Sequence, residues 1–138
     1  MDIVVRVAAV PHWTLLYAGL NALLALYLAF RTSQQRLKGN VIFGEGGYEP
    51  LKLAIRAHAN NVEYVPLVLV LIALLEIAAQ PAWLIHALGA SLLTGRVLHA
   101  IGLSSTGESS PPRLYGTLLT WAALLVAAGW SIAVPFVG

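Results

Sequence analysis

Arg56, Asn60 and Glu63 are the residues of this sequence whose types and spacing could do chemistry. They occupy positions i, i+4 and i+7 within the run RAHANNVEYVP. On a helix they share one face, with Glu63 about 10 Å further along the axis than Arg56. The run continues into LVLVLIALLEIAA, and charged groups at membrane depth usually face a bundle interior or a cavity. The stripe fits either an internal network that ties helices together or a site for a zwitterionic ligand.

Further candidates follow in the segments GRVLHAIG and SPPRLYG. Arg96 and His99 are one helical turn apart, and Arg113 opens the last apolar segment with Tyr115 close behind. By residue type alone, His99 fits a hydrogen-bonded structural histidine and Arg113 fits a charged anchor at the membrane surface. The alternative is that both belong to a ligand site.

Several ionisable or polar side chains are expected in one layer near a membrane surface, and no comparable layer is evident at the other surface. An excess of guanidinium groups over carboxylates suits a ligand with several carboxylates and one amine. A guanidinium beside a bound thiol would also favour its thiolate form. The residues of this layer are Arg31, Arg56, Asn60, Glu63, Arg96, His99 and Arg113.

Composition restricts the class of protein. Of 138 residues, 59% are hydrophobic and only 10% are charged, with a mean hydropathy of +0.79, well above the range of soluble domains. The length predicts a single domain over residues 1–138. Because the chain has no cysteine, a disulfide scaffold, a thiolate metal site and a cysteine nucleophile are excluded. Any sulfur chemistry needs a thiol supplied by a ligand. We expect no metal site and no nucleic-acid partner.

Four apolar segments predict an all-α membrane protein, a bundle of four transmembrane helices. Each is long enough to cross a hydrocarbon core of about 30 Å, and none shows the alternation of a barrel strand. Small residues recur at Ala18, Ala22, Ala25 and Ala29 and at Gly89, Gly95 and Gly102, which predicts either packing within the bundle or a subunit interface. The predicted spans cover residues 11–30, 51–79, 82–103 and 114–137.

The distribution of basic residues predicts the orientation. The first connection carries Arg31, Arg36 and Lys38, the third carries Arg113, and the second carries no Lys or Arg. By the positive-inside rule, the polar layer faces the cytoplasm and both termini are non-cytoplasmic. The tryptophans at 13, 83 and 130 then fall near the opposite surface. The N-terminus, MDIVVRVAAVPHW, lacks the basic leader of a signal peptide, so we expect it to be retained. The segment GEGGYEP predicts a turn or flexible loop.

These motifs together resemble one family of membrane proteins. The run R-A-H-x-N-x-x-E-Y-x-P, the four-span layout, the basic first connection and G-R-x-x-H in the third span resemble the MAPEG superfamily (membrane-associated proteins in eicosanoid and glutathione metabolism). The G-E-G-G-Y stretch is similar to that of the short bacterial members. The resemblance implies a homotrimer that binds glutathione between neighbouring subunits at the cytoplasmic side of a bacterial inner membrane.

The resemblance also implies roles for single residues. Glu63 would meet the amino group of glutathione, and Arg113 would stabilise its thiolate as the catalytic residue. One departure is Leu103, which stands where several members carry a tyrosine, and the stretch after Tyr115 is apolar. The candidate glutathione-binding residues are Arg31, Arg56, Asn60, Glu63, Arg96, His99 and Tyr115.

The expected function is that of a membrane glutathione transferase or peroxidase, in which the thiolate attacks a lipophilic electrophile or hydroperoxide dissolved in membrane lipid. A non-catalytic glutathione-binding or structural membrane protein is the main alternative. A b-type haem protein would need His12 with His86, or His58 with His99. A small transporter fits less well, because the polar layer lies at one surface rather than at the midplane.

Overall fold

The computed structural model describes residues 9–137 and consists there of four α-helices. All four are long and apolar enough to cross a membrane, as the sequence predicts. The helices are α1 (His12–Gly39), α2 (Glu49–Ile77), α3 (Ala82–Ser105) and α4 (Pro111–Val137). The first eight residues, on which the expectation of a retained N-terminus partly rests, lie outside the described residues.

The first helix is longer than the sequence predicts. It was expected to end at Phe30 but continues to Gly39, because TSQQRLK contains no helix-breaking residue. It ends where Asn40 adopts a left-handed conformation with φ 56°. There the Asn40 N–H donates a hydrogen bond to the Leu37 carbonyl, and the Val41 N–H donates one to the Arg36 carbonyl. The basic residues assigned to the first connection therefore lie on a helix. Basic side chains in a last turn also interact favourably with the helix dipole.

The helices form a diamond in which α2 and α3 occupy the centre. Helix α1 packs on one side of this pair and α4 on the other, and within residues 9–137 α1 and α4 do not touch. The larger apolar core joins α2, α3 and α4, with Ile72, Leu92 and Ala127 fully buried. A smaller cluster joins α1 to the centre through Leu28 and Leu103. Two separate sides of the bundle result, one beside α1 and one beside α4.

Glycines bring α3 and α4 into close contact. A Cβ atom on Gly95 would lie 2.9 Å from the Gly116 carbonyl oxygen, and one on Gly116 would lie 2.5 Å from the His99 nitrogen. Gly102 packs in the same way against the backbone of Arg113. Because the two helices nearly touch here, His99 and Arg113 are held at neighbouring positions. The glycines of the third span thus serve packing within the bundle.

Candidate functional site

Arg96 is the centre of the candidate site. It is only 1% exposed, and its Nη2 donates a hydrogen bond of 2.8 Å to Asn60 Oδ1 on α2. Its guanidinium carbon also lies 5.7 Å from the centre of the Tyr64 ring, within the range of a cation–π interaction. The arginine from α3 and the asparagine from α2, predicted separately from sequence, are therefore in direct contact.

The α2 stripe surrounds this contact. Arg56 and Glu63 are exposed, whereas Asn60 and Tyr64 are half-buried, so the stripe runs from the bundle interior to its surface. In residues 9–137 the Glu63 carboxylate and the Arg96 guanidinium form no salt bridge. The face predicted from the i, i+4 and i+7 spacing is turned toward α3 at its centre and remains open at its edges.

His99 and Arg113 complete the group from the other side. His99 is buried, its backbone packs against Gly116, and its Nδ1 has no hydrogen-bond partner. Arg113 is half-buried, and its Nη1 makes long contacts of 3.3 and 3.4 Å with the carbonyl oxygens of Gly107 and Glu108. We call Arg56, Asn60, Glu63, Tyr64, Arg96, His99 and Arg113 the polar cluster.

The charges of the polar cluster do not neutralise one another. In residues 9–137 the only salt bridge joins Lys52 to Glu49, at 3.7 Å, and neither residue is in the cluster. Arg96 in addition keeps its buried Nε without an acceptor. A buried guanidinium without a carboxylate partner is costly, because burial removes its hydration. The arrangement therefore favours an anionic ligand that supplies the missing acceptors.

Two predicted site residues lie apart from the polar cluster of their own chain. Arg31 donates a hydrogen bond to the Ser104 hydroxyl and lines a groove between α1 and α3, which we call the α1–α3 groove. Tyr115 is 60% exposed, and two positions along α4 from Arg113 it faces about 160° away from it. The structure does not bring either residue into contact with the polar cluster, so their roles stay predictions.

A groove beside Arg113 runs along the outer surface of α4. Leu114, Thr117, Leu118 and Trp121 line it, and its volume is about 340 Å³. The Trp121 indole nitrogen donates a 3.1 Å hydrogen bond to the Tyr64 hydroxyl, which connects this α4 groove to the polar cluster. Sequence reasoning missed both aromatic residues. The positions Arg113, Thr117 and Trp121, at i, i+4 and i+8, are the pattern that could have revealed Trp121. Tyr64 directly follows Glu63 in the run RAHANNVEYVP.

The opposite membrane surface carries a polar group that the sequence analysis did not expect. The Glu76 carboxylate accepts hydrogen bonds from the Trp13 and Thr14 N–H groups, at 2.9 and 2.8 Å, and from the Thr14 hydroxyl, at 2.6 Å. It therefore caps the start of α1. Nearby, the Tyr17 hydroxyl lies 3.0 Å from His86 Nδ1. These hydrogen bonds join α1 to α2 and to α3, so the polar side chains at this surface have partners within the bundle.

Comparison of the sequence with known proteins identifies one family and two relatives. A family model described as "MAPEG family" matches residues 14–133, a range that contains the whole polar cluster. Two relatives, each called "Inner membrane protein YecN", come from Escherichia coli strain K12 and Escherichia coli O6:H1. Each is 38% identical to this chain over 111 residues, or 80% of this chain and 83% of the relative. No solved structure matches the chain significantly.

Proposed function

The chain belongs to the MAPEG family, which includes glutathione transferases, and on this premise we propose that it is a membrane-bound glutathione transferase or peroxidase. The observation that carries the proposal is the polar cluster, where three guanidinium groups and one carboxylate from three helices lie without salt bridges among themselves. Glutathione has two carboxylates, one ammonium group and one thiol. Its charges therefore complement those that the chain leaves unpaired.

Glutathione is bound in this proposal by complementary charges. Glu63, which is exposed, meets the ammonium group, while Arg56 and Arg96 meet the carboxylates. Arg96 also holds the Asn60 carbonyl oxygen, which leaves the Asn60 amide N–H groups available to the peptide. A buried arginine loses little further conformational entropy when a ligand arrives, so it is a suitable preorganised partner.

The thiol end is placed beside Arg113. Its guanidinium stabilises the negative charge of the thiolate, and the proton of the thiol passes to water. The sulfur then forms a bond to carbon and a leaving group departs with its electron pair. With a hydroperoxide, the thiolate sulfur attacks the terminal oxygen, the O–O bond breaks, and the alkoxide leaves and takes a proton from water to become the alcohol. The thiol of a second glutathione then reduces the sulfenic acid, giving the disulfide and water. Leu103, which stands where several members carry a tyrosine, is buried with Leu28. This chain therefore provides no hydroxyl group at that position for the reaction.

The second substrate is proposed to bind in the α4 groove. Its leucines and Trp121 provide an apolar surface next to Arg113. Both Leu118 and Trp121 are about half exposed, on a helix that is long and apolar enough to lie in lipid. A lipophilic electrophile or hydroperoxide dissolved in the bilayer could then reach the thiolate without passing through water.

We further propose that the working unit is a homotrimer, with glutathione bound between subunits. The polar cluster is open at its edges, since Arg56 and Glu63 are exposed. A neighbouring subunit that covered these edges would exclude water and could contribute its own Arg31 or Tyr115.

The proposal is tested by Arg113→Ala in purified protein. We expect glutathione to bind with an affinity within a few-fold of that of the wild type, while conjugation to chlorodinitrobenzene slows roughly 100-fold, the usual effect of removing one charge-stabilising donor. The control is Arg36→Ala, because the Arg36 side chain lies at the same end of the bundle and, within residues 9–137, bonds only the Gly44 carbonyl. The rate of this variant should not change. Equal rates for Arg113→Ala and wild type would remove Arg113 as thiolate stabiliser. Binding without turnover in the wild type would indicate a non-catalytic glutathione-binding protein.

A further inference from the structure

The α1–α3 groove is a cavity whose lining contains no residue of the polar cluster. Its volume is about 490 Å³, and it is lined by Leu24, Tyr27, Arg31, Val97, Ala100, Ile101, Ser104 and Ser105. This groove and the α4 groove share no lining residue. Of the residues that line it, only Arg31 enters the glutathione proposal, as a residue that a neighbouring subunit could contribute.

The two walls of the groove change from apolar to polar at the same end. On α1, Leu24 and Tyr27 are followed one turn later by Arg31. On α3, Val97 and Ile101 are followed by Ser104. The two helices run in the same direction, so both polar residues lie at the cytoplasmic end. The groove thus has an apolar length of about two turns, roughly 10 Å, closed by a cationic and hydroxylated end.

The position of Arg31 in the membrane matches that of lipid phosphates. It lies nineteen residues after His12, the first residue of α1, and this separation corresponds to about 28 Å along the helix. A hydrocarbon core is about 30 Å thick. When His12 and Trp13 lie at one interface, Arg31 therefore reaches the headgroup level of the cytoplasmic leaflet, and Leu24 and Tyr27 lie at acyl-chain depth.

Arg31 also has capacity for an anion. Within residues 9–137 its side chain makes one hydrogen bond, to the Ser104 hydroxyl, and forms no salt bridge. Ser104 accepts that bond and keeps its own proton, which it can donate. The Ser105 hydroxyl, by contrast, already contacts the Ile101 and Gly102 carbonyl oxygens. Arg31 and Ser104 together present converging donors, the usual means of holding a phosphate.

We propose that the α1–α3 groove binds an anionic phospholipid of the cytoplasmic leaflet, with the phosphate on Arg31 and Ser104 and an acyl chain along Leu24, Tyr27, Val97 and Ile101. The apolar walls fit a hydrocarbon chain, which a small polar ligand such as glutathione lacks. The test contains no glutathione, so its outcome does not depend on the proposed function.

The experiment is native mass spectrometry of the purified protein supplied with equal amounts of phosphatidylglycerol and phosphatidylcholine of identical chains. We expect the wild type to retain phosphatidylglycerol preferentially. Arg31→Gln should reduce that preference about 5-fold, which corresponds to about 1 kcal/mol for one arginine at a membrane surface. The matched control is Arg36→Gln, because Arg36 lies five residues further along α1 and bonds the Gly44 carbonyl outside the groove. Its preference should equal that of the wild type.

A second variant tests the apolar part. Ile101 is 55% exposed in the groove, so Ile101→Trp should fill it and lower the retention of both lipids. Several outcomes overturn the proposal. They are equal retention of the two lipids by the wild type, an equal loss in Arg31→Gln and Arg36→Gln, and competition by glycerol phosphate without acyl chains. Loss of oligomers in Arg31→Gln with lipid retention unchanged would instead assign the groove to a second copy of the chain.

Discussion

At the scale of single residues, the partner of a charge decides its role. Arg96 and Arg31 are both arginines near the cytoplasmic surface, and neither forms a salt bridge within residues 9–137. Arg96 is buried and bonds Asn60, whereas Arg31 is half-buried and bonds Ser104 on another side of the bundle. Arg96 is therefore suited to a fixed position in a ligand site. Arg31 is suited to a ligand that binds in a surface groove.

Arg96→Met tests the residue at the centre of the polar cluster. We expect the Kd for glutathione to rise about 10-fold, because a hydrogen bond to a charged group contributes about 1.5 kcal/mol or more. The melting temperature should change little, since replacing an unneutralised buried charge by an apolar side chain is often close to neutral. Isothermal titration calorimetry and thermal circular dichroism measure the two quantities.

The matched control for Arg96→Met is Ser91→Ala on the same helix. Ser91 donates a 3.0 Å hydrogen bond to the Leu119 carbonyl on α4, so this variant also loses a contact between helices, but outside the polar cluster. Its Kd should stay within twofold of the wild type. An unchanged Kd in Arg96→Met would contradict the role of Arg96 in binding.

At the scale of helices, the close contact of α3 with α4 determines where His99 and Arg113 lie. Gly95 and Gly116 face each other, so the two backbones approach without intervening side chains. His99 packs its backbone directly against Gly116. The geometry of the candidate site thus depends on residues that carry no functional group.

Gly116→Ala tests this contact. The added methyl group would lie 2.5 Å from both the Gly95 carbonyl oxygen and the His99 nitrogen, and backbone atoms cannot move aside as a flexible side chain can. We expect a loss of about 1–3 kcal/mol in stability, as is usual for overpacking, measured as a lower melting temperature. Gly129→Ala on the same helix is the control, because nothing lies within 4 Å of its Cβ position. It should be neutral or stabilising by up to about 1 kcal/mol. A melting temperature of Gly116→Ala equal to or above that of the wild type would contradict the close contact of α3 with α4.

At the scale of the whole molecule, the surface between α1 and α2 is the best candidate for contact with another subunit. Ala18, Ala22 and Ala25 line a groove there of about 270 Å³, together with Asn21 and Asn61. Both asparagines are 1% exposed and have an Oδ1 atom without a partner. Because both asparagines are buried within the bundle, the alanines form the surface offered to a neighbouring helix, and small residues permit close helix packing in membranes. This supports the proposed trimer.

Ala22→Phe should disrupt that assembly. The phenyl ring would occupy the α1–α2 groove, so we expect trimers to become monomers in size-exclusion chromatography with light scattering. Leu23→Phe is the control, because Leu23 is 65% exposed at the next position and a larger apolar side chain there only meets lipid. Ala22→Phe protein that keeps the mass of the wild-type assembly would exclude this surface as the interface.

The sequence by itself determined the four membrane spans, the family and the helical face shared by Arg56, Asn60 and Glu63. These properties depend on local hydrophobicity and on the fixed spacing of residues along one helix. The extension of α1 to Gly39 was missed because helix ends in polar segments depend on weak local preferences.

Only the tertiary structure decided which faces of different helices meet. It paired Arg96 with Asn60, turned Arg31 toward Ser104, and used Glu76 to cap α1. These contacts join residues 36, 73 and 62 positions apart. No periodicity within one helix specifies the rotation of its neighbours, because that rotation results from the packing of all four helices at once.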